Sequence, residues 1–357
     1  MGAPVDQPEL EAQQGGHDMR VGTGLSGSSP GAIAESARHA ESIGYDSLSS
    51  SETNHNPFLP LAIASEHTER IGLRTSIALA FARSPMDTAY IAWDLARLSG
   101  GRFTLGLGSQ VRGHIVRRYG MSWTPPAPRM RDYVLALRHI WDAWQNGTSV
   151  EYYSDSYNFN LMPPFFNPGP IEYPEIKVYI SAVNVNMLRV AGEVCDGVLL
   201  HSFSTHQYTR DVILPNLARG AARRGRTLED LDVSGAGFIV TGPDEQELER
   251  QRQITKGRIA FYASTRSYAP VMNAHGWDDT AAKLYRMSFD GKWSDMPAQI
   301  TDEMLDAFAV TGTYDEIVPM LKATRGSYAS SMGFGIPTPS PEEEDRLKGM
   351  LQELKKA

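Results

Sequence analysis

The sequence predicts an α/β protein built as a (β/α)8 barrel. Residues 71–110 read IGLRTSIALAFARSPMDTAYIAWDLARLSGGRFTLGLGSQ, a β-α-β unit with short loops whose second strand ends in a glycine pair. Apolar strands also recur near positions 20, 47, 73, 103, 177, 197, 233 and 329, each but the last followed by a helical pattern. Eight such units are more than an open dinucleotide-binding sheet uses, and 357 residues suit one closed barrel with insertions at its carboxyl-end face.

The elements follow in order. Residues 1–18, polar and rich in Gln, Gly and Glu, read as a tail, and 19–345 as the barrel. Residues 19–24 form a strand, and Pro30 opens a helix to about 43, proline being favoured at the first helical position. Gly44-Tyr45-Asp46 turns into a strand at 47–50, and 58–67 is a short helix. A strand at 73–81 stops at Ser84-Pro85, and a helical stripe (Ala89, Ile91, Ala92, Leu95, Ala96, Leu98) ends at Gly100-Gly101 before the strand 103–107. Residues 129–145 form an amphipathic helix closed by Asn146-Gly147, 150–159 a hairpin arm, and the proline-rich 163–174 a surface loop. Strands at 177–181, 197–201, 231–241 and 329–336 alternate with helices at 184–194, 206–224, 244–261 and 313–325. Residues 266–312 break the rhythm as an insertion near the mouth, and 346–357 read as a carboxyl-terminal tail.

Composition removes several function classes. A net charge of -8 with no Lys/Arg stripe argues against a nucleic-acid surface. No run approaches the ~20 apolar residues of a membrane span. The polar first 18 residues lack the apolar core of a signal peptide, so a cytoplasmic protein is expected. The single cysteine, Cys195, sits in an apolar run and reads as an inert buried thiol. The nine histidines are scattered without metal-ligand spacing, so no metal site is expected.

In parallel α/β folds ligands sit at the carboxyl ends of the strands, and that rule selects the candidates. Gly106-Leu107-Gly108-Ser109-Gln110 frees backbone amides before the next helix, an arrangement suited to a phosphate-bearing cofactor. Arg112, Arg117 and Arg118 follow as a positive cluster, the latter two alternatively a solvated helix face, and His114 lies on the same loop. Ser181-Ala182-Val183-Asn184, after the fifth strand, is a second candidate phosphate loop, although the usual glycines are missing. Glu52 and His201 end strands and face the mouth on this reading. Gly22-Thr23-Gly24-Leu25-Ser26-Gly27 mimics a dinucleotide fingerprint, but Ser28-Ser29-Pro30 postpones the helix beyond the third glycine.

These residues, with Ala40-Glu41-Ser42-Ile43-Gly44-Tyr45-Asp46 upstream and Ala191-Gly192-Glu193 and Asp196-Gly197 downstream, resemble the luciferase-like monooxygenase superfamily over roughly 20–340. The pattern is most similar to the actinobacterial branch that uses the deazaflavin coenzyme F420. The resemblance implies a bacterial luciferase-like barrel with a flavin-like ring at its mouth and a non-prolyl cis peptide at Ser76-Ile77 behind the ring. It implies that Gly106, Gly108, Ser109 and Gln110, together with Ala182, Val183 and Asn184, hold the ribityl and phosphate groups; the polyanionic tail of the deazaflavin wants basic residues beyond the phosphate, which Arg112, Arg117 and Arg118 provide on this reading. It places the acid of the second strand at Glu52. Many relatives carry a His directly after that acid, where this chain has Thr53, with His55 two residues further on.

The resulting expectation is hydride transfer between C5 of coenzyme F420 and a small organic substrate. His114, Glu52 or His201 supplies the matching proton, with His114 favoured. Tyr262, Tyr268, Trp277 and Trp293 are expected to lid the substrate, the alternative being a packing or dimer surface. A homodimer is expected. Two other functions stay open at this point: an FMN-dependent monooxygenase, and a non-catalytic flavin- or deazaflavin-binding barrel.

Overall fold

Short parallel strands whose outward side chains are apolar can only be buried by helices packed around them, and that is the arrangement found. The computed structural model describes residues 19–235 and 237–356, so the expected tail at 1–18 lies outside the described residues. Eight parallel strands form the barrel: β1 (Arg20–Gly24), β2 (Ser47–Ser50), β3 (Gly72–Thr75), β4 (Phe103–Gly108), β5 (Lys177–Ala182), β6 (Gly197–Leu200), β7 (Asp232–Ser234) and β8 (Ser331–Gly333). Each pairs with its neighbour in sequence, and β8 pairs with β1 (Val21 beside Met332) to close the ring.

The flanking helices start and stop on local signals. Helix α1 (Pro30–Ile43) begins with Pro30 behind the cap Ser29, whose hydroxyl accepts from the Ala32 amide at 3.3 Å, and ends on left-handed Gly44. After α2 (Phe58–Glu66), helix α3 (Pro85–Leu98) repeats the device with Ser84 accepting from Asp87 N at 3.0 Å. A short helix α4 (Arg112–Arg117) precedes α5 (Pro126–Asn146), whose buried Trp144 packs against Tyr90 (4.6 Å between ring centres) and Trp93 (5.7 Å) of α3. Helix α6 (Val185–Val194), a helical stretch over 206–224, α7 (Glu245–Ala263), α8 (Ile317–Arg325) and α9 (Pro341–Lys355) complete the outer layer.

Four expectations need correction. The strand expected over 73–81 stops at Thr75, and the chain resumes as Ala78–Leu79 beside Leu107 and Gly108. The strand expected over 231–241 is two: after β7 the chain turns through left-handed Gly237, and Phe238–Gly242 pairs outside the barrel with Ala309–Thr313. Residues 309–313 of the expected insertion and helix are therefore a strand, and α8 begins only at Ile317. Of the tail expected over 346–357, residues 346–355 form most of α9; Leu347, Met350, Leu351 and Leu354 are buried, and Lys355 Nζ reaches Asp46 at 2.7 Å. The apolar period in 346–354 carried that information.

The inner face of the barrel departs from the bulky branched filling usual for this architecture. Alternation sends Val21, Leu48, Leu73, Leu105, Val178, Ile180, Val198 and Val233 outward into the core. It sends Gly22, Gly24, Ser47, Ser49, Gly72, Gly106, Gly108 and Gly333 inward. The remaining inward positions include Arg20, Arg74, Lys177, Tyr179, Leu199 and Asp232. The Tyr179 hydroxyl donates to Asp232, which also pairs with Arg20 and Lys177. Burial alone would raise the Asp232 carboxyl, but Tyr179, Arg20 and Lys177 outweigh it and hold it below its ordinary value.

Candidate active site

The carboxyl ends of β2, β3 and β4 meet at a bulge. The Ser76–Ile77 peptide is cis, and both residues are partly exposed. Thr75 Oγ1 donates to the Gly106 carbonyl (2.7 Å) and accepts from the Gly106 amide (2.8 Å), which pins β4 to the bulge. A Cβ on Gly106 would lie 1.9 Å from the Thr75 carbonyl oxygen, so no side chain fits there. Gly106, expected among the phosphate contacts, thus answers first to the strand beside it. On Gly108 a Cβ would meet Ile77 Cδ1 at 2.5 Å and Ser181 Oγ at 2.9 Å. Its glycine keeps β4 flush with Ile77 at the mouth.

Glu52 braces this bulge. Its amide donates to the Ile77 carbonyl at 3.1 Å, and its carboxylate accepts from the Leu79 amide at 2.8 Å. Arg83 closes on the two carboxylate oxygens at 2.8 and 2.9 Å, and Tyr119 OH approaches at 3.4 Å. The Glu52 side chain is 6% exposed. Burial by itself would lower the Arg83 guanidinium, but its bonds to Glu52 prevail and raise it. A carboxylate with every lone pair engaged is a brace and not a proton shuttle.

The loop after β4 carries Ser109 and Gln110, the latter at φ 55° with its Oε1 accepting from the Val111 amide at 2.9 Å. Arg112, His114, Arg117 and Arg118 of this region are exposed, and Arg118 reaches the Thr53 carbonyl at 2.7 Å. No hydrogen bond among the described residues joins the His114 ring to Glu52 or His201. After β5, Ala182 is buried, and Tyr208 OH donates to the Val183 carbonyl at 3.2 Å. Asn184 Nδ2 donates to Ser267 O at 3.1 Å. The side chain at the head of α6 is thus turned to residue 267, leaving the first amides of that helix without a side-chain cap among the described residues.

His201, just past β6, is enclosed by aromatic rings. Its Nδ1 accepts from the Phe203 amide at 2.9 Å, which leaves the ring proton on Nε2. Tyr262 and Tyr268 lie 4.5 and 4.9 Å away between ring centres. Desolvation pulls the His201 pKa down to about 4, and pushes Tyr268 up to about 12 with help from Tyr262. Of the expected lid, Tyr262 and Tyr268 pack on this histidine, whereas Trp277 stacks on His275 and Trp293 stands half-exposed beside Phe261.

Between β1, β2 and β8 the mouth opens into a cavity of about 420 Å³, walled by Ser49, Arg74, Ile239, Gln251 and Phe334 among others. Sequence reasoning missed Arg74, Arg83, Tyr119 and Tyr179. Arg74 was detectable, since a lone charge between Leu73 and Thr75 falls on the inward positions of its strand.

The family model for luciferase-like monooxygenases matches residues 12–331. The chain belongs to that family. It is 44% identical over 301 residues to the uncharacterized protein Rv1360 of Mycobacterium tuberculosis strain H37Rv, covering 84% of this chain and 88% of the relative. It is 27% identical over 322 residues to a 5,10-methylenetetrahydromethanopterin reductase of Archaeoglobus fulgidus, covering 88% and 92%. Among solved structures, the coenzyme F420 dependent tetrahydromethanopterin reductase from Methanopyrus kandleri superposes with a TM-score of 0.74 at 21% identity, covering 94% of this chain and 98% of that one. Solved luciferase-like chains of the same fold also include an FMN complex. Members of this family are oxidoreductases, and among the described residues no helix is long and apolar enough to cross a membrane.

Proposed function

We propose that this luciferase-like barrel is a coenzyme F420-dependent oxidoreductase acting on a small organic substrate. The observation that carries the cofactor class is the mouth itself: a half-exposed Ser76–Ile77 bulge, flanked by Gly108 and Ser181 and leading to an uncapped helix start at α6. A flat ring needs such a flush wall, and a phosphate needs free amides beside it. The exposed Arg112, Arg117 and Arg118, in a chain of net charge -8, favour the deazaflavin, because its lactyl-oligoglutamate tail is polyanionic.

When bound, the deazaflavin supplies a hydride acceptor or donor at C5. The chain's own residues supply the rest. Glu52 and Arg83 hold the bulge rigid, and Ile77 and Gly108 back the ring. His201 is neutral at physiological pH, and its Nε2–H donates a hydrogen bond to a substrate oxygen or nitrogen whose charge changes as hydride moves. Tyr262 and Tyr268 keep water from that imidazole. His114, exposed on the short helix α4, is the weaker choice for this role.

A second reading, an FMN-dependent monooxygenase, is favoured by the FMN complex of the same fold. Fluorescence titration of the purified chain with coenzyme F420 and with FMN separates the two. Tighter binding of coenzyme F420, weakened as salt rises, is expected. Preference for FMN establishes the second reading, and binding of neither removes both.

A further inference from the structure

The inward-facing charges of the barrel do not balance. Arg20 and Lys177 already share Asp232 with the Tyr179 hydroxyl, and Asp232 is the one acid on the inward face of the eight strands among the described residues. Arg74, in β3, is a third cation on this face and makes no hydrogen bond or ion pair among the described residues. Its Nε is fully enclosed and unsatisfied. Burial pulls its guanidinium below the ordinary value, against the opposing attraction of Tyr179 and Asp232. Arginine nonetheless stays protonated in proteins, so the charge cannot be shed as a buried lysine would shed it. A charged guanidinium that is partly buried, with its Nε enclosed and unsatisfied, is costly unless something else supplies the acceptors.

The surroundings point to what supplies them. Arg74 forms part of the wall of the 420 Å³ cavity, with Ser49 beside it in register on β2 and Thr23, Thr241 and Gln251 adding polar groups. Ile239, Phe334 and Pro337 give the same cavity apolar walls. Its volume falls within the range of small-molecule sites, ~300–1,000 Å³. The space exists because the inward neighbours are Gly22, Gly24, Ser49 and Gly333 in place of branched side chains.

We infer that Arg74 recognises a carboxylate on the substrate, held in the cavity between β1, β2 and β8 with its apolar body against Ile239 and Phe334. A planar carboxylate matches the guanidinium fork, with both its oxygens accepting from parallel N–H groups. The inference rests on the oxidoreductase reading only for calling this ligand a substrate; the anion site belongs to the apo protein and is testable without cofactor.

The test uses the full chain without cofactor, with sodium benzoate and acetate as probes and benzamide as the uncharged control, all at fixed ionic strength. Affinity is read by calorimetry and by the rise in Tm. Wild type binds benzoate in preference to benzamide, and Arg74→Met, which keeps the volume but not the charge, binds benzoate roughly 10- to 100-fold more weakly, the worth of one charge-assisted hydrogen-bond pair. The same variant melts no lower than wild type, because the lost guanidinium made no hydrogen bond or ion pair among the described residues. Should Arg74→Met fail to fold, Arg74→Lys decides: it keeps the charge and loses the fork, so benzoate affinity falls while acetate-independent stability is kept. Equal benzoate affinity in wild type and variant, or no carboxylate binding by wild type, overturns the inference. Coenzyme F420 also carries carboxylates, so its affinity is measured in parallel. Unchanged affinity in Arg74→Met keeps the anion with the substrate, and a loss matching that for benzoate reassigns it to the cofactor tail and overturns the substrate assignment. Failure of wild type to bind coenzyme F420 at all would sink the cofactor reading and leave the benzoate result intact.

Discussion

Replacing Glu52 by Gln tests whether this acid moves a proton or holds the bulge. The carboxylate takes two bonds from Arg83, one from the Leu79 amide and a long one from Tyr119. Glutamine keeps one oxygen for Leu79 but sets an NH2 against the guanidinium, leaving Arg83 charged and largely buried. Removing one partner of a buried pair costs ~3–5 kcal/mol; because Arg83 is 15% exposed and can turn partly to water, the lower end of that range is expected. The assay is thermal or denaturant unfolding of Glu52→Gln, Arg83→Met and the double variant, with cofactor affinity and turnover at saturating cofactor. For a brace, Glu52→Gln lowers stability and cofactor affinity. The double variant recovers much of the stability, and turnover at saturation falls little. For a proton carrier, Glu52→Gln loses ~10²–10⁴ in turnover while Arg83→Met stays active. That second pattern would refute the argument that a fully engaged carboxylate cannot shuttle protons here.

Gly106→Ala forces a Cβ to 1.9 Å from the Thr75 carbonyl and is expected to destabilise at or above the ~1–3 kcal/mol of overpacking, whereas Gly31→Ala, with open space around it, stays within ~1 kcal/mol of wild type; equal unfolding midpoints would contradict the packing of β4 on the bulge. Gly108→Ala displaces the end of the Ile77 side chain and is expected to fold while binding cofactor more weakly; unchanged affinity takes Gly108 out of the ring wall. For His201, the folded pKa near 4 lies below the ordinary 6.5, so the folded state binds fewer protons and the stability tied to its neutral ring is lost as pH falls from 6.5 toward 4. The Tm of wild type relative to His201→Gln is therefore expected to fall across that window and be flat above pH 7; a constant difference throughout would mean the ring is not desolvated.

How much of this was legible in the sequence follows from which contacts are local. Strands were readable because their outward residues are apolar and their ends are marked by Gly and Pro, as at Gly100-Gly101. The cis Ser76–Ile77 bond followed from family resemblance, not from residue chemistry. The Glu52–Arg83 brace spans 31 positions and pairs two elements that no periodicity connects, so Glu52 read as a free acid. The split of 231–241 turns on Gly237, whose left-handed φ of 85° brings it beside the Phe308 carbonyl, a contact with a segment 71 residues on. Helix α9 differs in kind, because its apolar period at Leu347, Met350, Leu351 and Leu354 is local and present in the sequence.

The inner face explains why the candidate site was hardest to read. Stability in this barrel resides in the outward layer, where strand residues such as Leu48, Leu73, Val178 and Val198 meet the helices. Glycine and serine inside contribute little burial but leave space, and that space is lined by a cation with no hydrogen bond or ion pair among the described residues. Apolar patterning therefore reports the half of each strand that holds the fold together. The half that faces the cavity is written largely in small residues, which to a pattern search look like turns or weak strand formers. Arg74 is the exception that gives the inner face away, because a charge in the middle of a barrel strand has no structural use unless something answers it.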